Sequence, residues 1–160
     1  MSTDEAATEA ALVIGGAWRD IRRLRGLRTI GHDLLDDGCA PLETGELDTL
    51  SVVGALGPVR MSALAAALRV EPSTATRAVD RLERHGLVTR RKDDTDGRFV
   101  EGSLTPDGLT AFGELTRRRR ELLAGVLAHF DAAEQERLAE LLPRFAEARA
   151  DVLDRRTADA

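Results

Sequence analysis

The stretch M-S-A-L-A-A-A-L-R-V-E-P-S-T-A-T-R-A-V-D-R-L-E-R-H-G-L-V-T-R-R-K-D-D-T-D-G-R-F-V-E-G-S-L-T, residues 61–105, decides the fold. It opens with a short alanine-rich helix in which Leu64, Ala65 and Leu68 are spaced to face inward. Val70 is expected to fill the turn that follows. Pro72 suits the first position of a second helix, where its missing N–H has no intrahelical partner to lose. Glu71 then takes the N-cap slot, and its charge favours the helix dipole. Gly86 ends this helix, residues 72–85, as a C′ residue. Leu87-Val88-Thr89-Arg90-Arg91 reads as a strand and Asp96-Gly97 as a tight turn. Arg98 to Thr105 returns, with Phe99 or Val100 and then Leu104 adding apolar contacts. The layout is a helix-turn-helix, 61–85, followed by a β-hairpin wing, 87–105.

The second helix has two faces. Ala75, Ala78, Val79 and Leu82 form its core side, and Ser73, Thr74, Arg77, Arg81 and Arg84 lie on the other. A solvated amphipathic helix has the same two faces. Hydroxyls and backbone N–H groups at a helix N-terminus, however, bind phosphate, and arginines take guanine edges in a major groove. Arg90, Arg91, Lys92 and Arg98 gather positive charge at one end of the hairpin. An arginine-tipped hairpin fits the narrow minor groove, where the negative potential is enhanced. Asp96 stands two residues before Arg98, close enough to hold that guanidinium in one pose.

The chain has 160 residues, 42% hydrophobic and 32% charged, enough for a real core under a polar surface. Aromatics are 3%, so the core rests on Leu, Val and Ala. The net charge of −5 argues against a nucleic-acid binder until its distribution is read. Residues 60–98 hold nine Lys/Arg against six Asp/Glu; the remainder holds fourteen against twenty-two. The basic surplus sits in the helix-turn-helix and wing. The single cysteine, Cys39, excludes an intramolecular disulfide and fits a reducing compartment. No apolar run reaches the roughly 18 residues that span a bilayer, and the acidic N-terminus has no basic n-region. A cytoplasmic location is expected. No P-loop, dinucleotide glycine fingerprint, HExxH or nucleophile elbow is present, so an enzyme is not expected. The three histidines lack metal-ligand spacing, and neither a metal nor a cofactor is expected.

Outward from the reader, residues 1–9 are expected to fray. A helix is predicted from Ala10 to Leu35 on the spacing of Leu12, Val13, Ala17, Trp18, Ile21, Leu24, Leu27, Ile30, Leu34 and Leu35, with Gly15-Gly16 loosening its first turns. Another starts near Glu43 or Thr44 and buries Leu47, Leu50, Val53 and Leu56 before Gly57-Pro58 stops it. Val59-Arg60 is placed to form a short strand against the wing. Thr105-Pro106 opens a long helix to about Phe130, with Leu109, Phe112, Leu115, Leu122, Leu123, Val126 and Leu127 along it. Asp131-Ala-Ala-Glu134 is a capping box for a last helix bearing Leu138, Leu141, Leu142, Phe145 and Val152. Pro143 is expected to kink it, and the terminal R-R-T-A-D-A to be disordered. The fold class is mainly α with a small β-wing: a winged helix-turn-helix DNA-binding core, 43–105, within a single domain, 10–153. The helices at 10–35 and 106–153 carry apolar stripes that so small a reader cannot cover. They are expected to dimerise the chain, setting two reading helices about 34–36 Å apart.

These motifs resemble the MarR family of multiple-antibiotic-resistance-type transcriptional regulators, from about Trp18 to Val152. The most specific parts are L-A-A-A-L-R-V-E-P-S-T-A-T-R-A-V-D-R-L-E-R-H-G-L-V-T-R and D-x-R-F-V-E-G-S-L-T-P-D-G. The latter is similar to the family wing D-R-R-x-x-x-V-x-L-T-x-x-G. Asp96 and Arg98 fall on its Asp-x-Arg, which gives Arg98 the minor-groove role and Asp96 that of orienting it. Gly97 replaces the usual first arginine, Glu71 replaces a frequent serine cap, and Gly102 replaces a β-branched residue, so a bulge is expected there. The resemblance places Ser73, Thr74, Thr76 and Arg77 at the major groove. With Ser62, Arg81, Arg90, Arg91 and Lys92 they complete the expected DNA-binding set.

The resemblance further implies a homodimer that represses, less often activates, nearby genes from a pseudo-palindromic operator. Many such proteins release DNA when a small aromatic or anionic effector binds beside the dimer helices, which points here to Trp18, Arg22, His32, Arg117 and Arg120. Other members respond to cysteine oxidation, so a redox-responsive regulator using Cys39 is one alternative. The neighbouring Asp36 and Asp37 oppose a reactive thiolate there. A winged helix used only for protein contacts is another alternative, and it has no need of Arg98 at a hairpin tip.

Overall fold

The computed structural model describes residues 3–23, 41–92 and 100–158. They divide into two compact units, Met1–Arg118 and Arg119–Ala160. In the first unit, α1 (Thr3–Arg23) begins well before the expected Ala10. Alanine is the best helix former, and alanines at 6, 7, 10 and 11 favour an early start. The helix runs through Gly15-Gly16. Its expected continuation to Leu35, and the loop with Cys39, lie outside the described residues.

The core is built by α2 (Thr44–Leu56), α3 (Met61–Leu68) and α4 (Pro72–Arg84), closed by a small sheet. Leu42, Leu47, Leu50, Val53, Leu64, Val79 and Leu82 meet there with Val59, Leu87 and Val88. Leu56, expected inside, is exposed. That end of the core is filled instead by Phe112, whose ring occupies the space a side chain on Gly54 would need. Val70 is also exposed and does not fill the turn. Backbone closes it: the N–H of Val70 donates to the carbonyl of Ala65 at 3.1 Å, and Arg69 takes a left-handed conformation, φ 53° and ψ 47°. At the other end of α4 the N–H of Gly86 reaches Glu83 O and that of Leu87 reaches Leu82 O, both at 2.9 Å. That is a Schellman cap, with Gly86 at φ +70° as expected.

Strands β1 (Val59–Arg60), β2 (Val88–Lys92) and β3 (Val100–Leu104) form an antiparallel sheet in the order β1-β3-β2. The short β1 pairs with the wing as expected, Val59 opposite Gly102 and Arg60 opposite Glu101. The expected bulge at Gly102 is absent. The β2–β3 register is unbroken, with Arg90 opposite Gly102. Gly102 sits in the central strand with Val88 Cγ1 at 3.8 Å from where its Cβ would stand, an ordinary contact that asks for no detour. Val100 is exposed and Leu104 packs on the core, so the apolar contact expected of the return strand falls to Leu104.

Helix α5 (Pro106–Leu127) follows. Its N-cap is Thr105, whose Oγ1 accepts the N–H of Gly108 at 2.9 Å and donates to Gly86 O at 2.6 Å. Its expected end at Phe130 gives way to a tightened last turn, with His129 N–H on Val126 O and Phe130 N–H on Leu127 O. In the second unit, Asp131 and Glu134 form the expected capping box, each side chain taking the other's backbone N–H at 2.9 Å. Helix α6 (Ala132–Ala158) continues on both sides of Pro143. It also runs through Arg155–Ala158, the part of the segment expected to be disordered that lies within the described residues, with Arg155 and Arg156 in its last turn, where cations favour the negative end of the dipole.

Candidate nucleic-acid interface

Helix α4 is anchored by Ala75, Ala78, Val79 and Leu82, all buried. At about 100° per residue this leaves Ser73, Arg77 and Arg84 opposite the core, with Thr74 at the edge. All four are exposed. Arg77 makes no ion pair among the described residues. Ser62, in the first turn of α3, is exposed as well. Thr76 is half-buried and donates its hydroxyl to Pro72 O at 2.8 Å, within its own helix.

Arg81 and Arg90, expected to face DNA, are held by carboxylates of this chain. Arg81 sits on the flank of α4 that meets α2. Its Nε lies 2.5 Å from Oε1 of Glu46, and its Nη2 lies 3.6 Å from Glu43. The Nε–H makes no well-aligned hydrogen bond, so the contact is ionic. Glu46 is 3% exposed, and its other oxygen accepts the N–H of Glu43 at 2.7 Å. Arg90 reaches α4 from β2. It pairs with Asp80 and, at 3.1 Å, with Glu83, which also accepts the Arg90 backbone N–H at 3.3 Å. The Asp80 hydrogen bond leads in raising the Arg90 guanidinium above its already high pKa, partly opposed by burial.

Strand alternation accounts for the difference between the neighbouring arginines. Val88 is buried, so Arg90 shares its inward face, and Arg91 turns outward and is exposed. Sequence reasoning missed Glu46, Asp80 and Glu83. The signal was present in acids one helical turn apart at 80 and 83 and in the period of two along β2. Lys92 pairs with Val100 in the ladder, while its side chain lies outside the described residues. Asp96, Gly97 and Arg98 lie outside them too.

Among the effector candidates, Trp18 is 37% exposed on α1. His32 and the side chain of Arg22 lie outside the described residues. Arg117 and Arg120 are exposed. Arg117 is bound to Glu114, Nη2 to Oε1 at 2.6 Å, and Arg118 shares that carboxylate at 2.6 Å. These two arginines hold Glu114 down to about 2. Among the described residues, no helix is long and apolar enough to cross a membrane.

The family model described as "MarR family" matches residues 42–100, which covers the core, α4 and β2. The HTH-type transcriptional repressor MdtR of Bacillus subtilis is 30% identical over 92 residues, covering 58% of this chain and 59% of that one. This chain therefore spans about three fifths of that relative's length. The uncharacterized HTH-type transcriptional regulator Mb0904 of Mycobacterium bovis is 31% identical over 97 residues, covering 61% of this chain and 68% of that one. A crystal structure of a probable transcriptional regulator from Pseudomonas aeruginosa superposes with a TM-score of 0.66 at 27% identity, covering 82% of this chain and 96% of that one. With the helix-turn-helix, the three-stranded sheet and these likenesses together, the chain belongs to the MarR family of winged-helix transcriptional regulators.

Proposed function

We propose that the chain is a homodimeric DNA-binding repressor, acting in the cytoplasm on a pseudo-palindromic operator and released by a small aromatic or anionic effector. The observation that carries this reading is the exposed line of hydroxyls and arginines on α4, Ser73, Thr74, Arg77 and Arg84, opposite its buried face. The hydroxyls and the helix N-terminus suit phosphate, and Arg77 suits a guanine edge. Ser62, Arg91 and Lys92 extend the contact to the backbone, and Arg98, oriented by Asp96, enters the adjacent minor groove. Residues 43–105 form the reader, and the helices at 10–35 and 106–153 pair two copies. Repression as the direction of control is supported by the name of the MdtR relative. The effector meets Trp18, Arg22, His32, Arg117 and Arg120.

The test is selection of bound duplexes from a random-sequence library, followed by a salt series on the winner. The expected product is a two-fold sequence. A protein neutralising six to ten phosphates loses roughly 10³–10⁵ in affinity between 50 and 200 mM salt. Recovery of no preferred duplex would refute the proposal.

A further inference from the structure

We infer that Arg81 and Arg90 are positioning residues, two struts that hold the reading helix from opposite flanks, and not cations offered to DNA. The inference rests on the DNA-binding reading above. It starts from where the two guanidinium groups are engaged. On one flank of α4, Arg81 is tied to Glu46 and Glu43 at the start of α2. On the other, Asp80 and Glu83 hold Arg90 of the wing strand. Neither contact is a loose surface pair. The side chain of Glu46 is 3% exposed and that of Arg90 is 23% exposed. If Arg81 turned toward a phosphate, it would leave a buried carboxylate without its counter-ion, which is strongly unfavourable. If Arg90 turned, it would leave two carboxylates of α4 facing the DNA backbone unmatched, and like charges repel there.

The arrangement fixes what DNA reading needs. A helix in the major groove and a ribbon in the neighbouring minor groove must keep one angle and one offset. The Arg90 strut joins the wing strand to α4, and the Arg81 strut joins α4 to the buried start of α2. Among the described side chains of these two elements, the cations left facing outward are Arg77 and Arg84 on the helix and Arg91 on the strand.

The salt dependence of binding separates a strut from a contact. Wild type, Arg77→Gln, Arg81→Gln, Arg90→Gln and the acid pair Asp80→Asn/Glu83→Gln are titrated with the wild-type-selected duplex and with a scrambled duplex of equal length. Circular dichroism confirms that each is folded. Loss of a phosphate contact flattens the slope of log K against log salt by about 0.9, or about 1.8 for a dimer. For Arg81→Gln and Arg90→Gln the expected result is a several-fold fall in preference for the selected duplex, with the slope as in wild type. The acid-pair variant loses preference in the same way, and adding Arg90→Gln to it causes no further loss, because both changes remove one strut. Should Arg90→Gln fail to fold, the acid pair tests the strut from its other end. A flattened slope, an undiminished preference, or an additive loss in the combined variant would overturn the inference. A wild-type chain that selects no duplex at all would instead remove the DNA-binding reading beneath it.

Discussion

At Gly108 a β-carbon would stand 1.9 Å from the carbonyl oxygen of Leu87. The obstacle is backbone just after the Schellman cap and cannot rotate away, so the glycine of the L-T-P-D-G run is a packing requirement. Gly108→Ala is expected to destabilise by about 3 kcal/mol, the upper end for overpacking. It is measured as a lower urea midpoint at unchanged m-value; an unaltered midpoint would contradict the close approach. Glu114 offers a test in pH. Its folded pKa, about 2, lies below the ordinary 4.5, so its pairing with Arg117 and Arg118 stabilises the fold above 4.5 and is lost as pH falls through 2. The stability gap between wild type and Glu114→Gln is therefore expected to be level above pH 4.5 and to close toward pH 2. Because solvent reaches this half-buried group and screens the pairs, the gap is small, and a gap that widens on acidification would reverse the assignment. At this scale the buried positions of α4 were legible, because burial follows from helical spacing alone. The ion-pair partners of Arg81 and Arg90 were not. A charge in a sequence does not say which neighbour holds it: the spacing of Asp80 and Glu83 and the period of two along β2 hint at a pair, but Glu46 becomes a partner only when α2 is set against α4.

Elements were legible where a local chemical signal marked them, and less so where only polarity did. Pro72, Gly86, Thr105-Pro106 and the Asp131–Glu134 box all act as their chemistry required. The start of α1 and the end of α6 ran past the expected limits, the latter because cations in a last turn complement the dipole and extend a helix. Gly102 was misread for a related reason: a glycine in a strand signals a bulge only when something crowds it, and here nothing does. Thr105 carries the most at element scale. Its hydroxyl caps α5 and also bonds Gly86 O, joining the end of the reading helix to the start of the long one. Thr105→Ala is expected to lose the cap, about 1–2 kcal/mol, and the tie with it. Faster amide exchange at Gly108 and Leu109 is the local readout; unchanged protection there would show that the cap is dispensable.

At the scale of the whole molecule, single chains leave large apolar side chains in water. Leu12, Val13, Ile14 and Ile21 of α1 are exposed, and so are Leu141, Leu142, Phe145 and Val152 of α6. Scattered exposed leucines are ordinary, but stripes repeated along two helices are the pattern expected of surfaces that meet a partner. The fold was legible because the reader's motifs are local; the expected pairing of two copies rests on the stripes alone, because which stripe covers which depends on a second chain. If two copies pair through these stripes, each presents one α4, and the two-fold axis fixes their separation at about one turn of DNA, 34–36 Å. The operator then reads as two half-sites 10–10.5 base pairs apart, a spacing set by the protein and not by either half-site's sequence. Inserting about five base pairs between the half-sites turns one to the opposite face of the duplex, where the second reader cannot follow, although each half-site remains intact. Affinity for that duplex is expected to fall to that of a single half-site, measured by gel shift or anisotropy beside the unaltered operator. Equal affinity for both duplexes would mean that the two copies read DNA independently, and the stripes on α1 and α6 would then need some other partner.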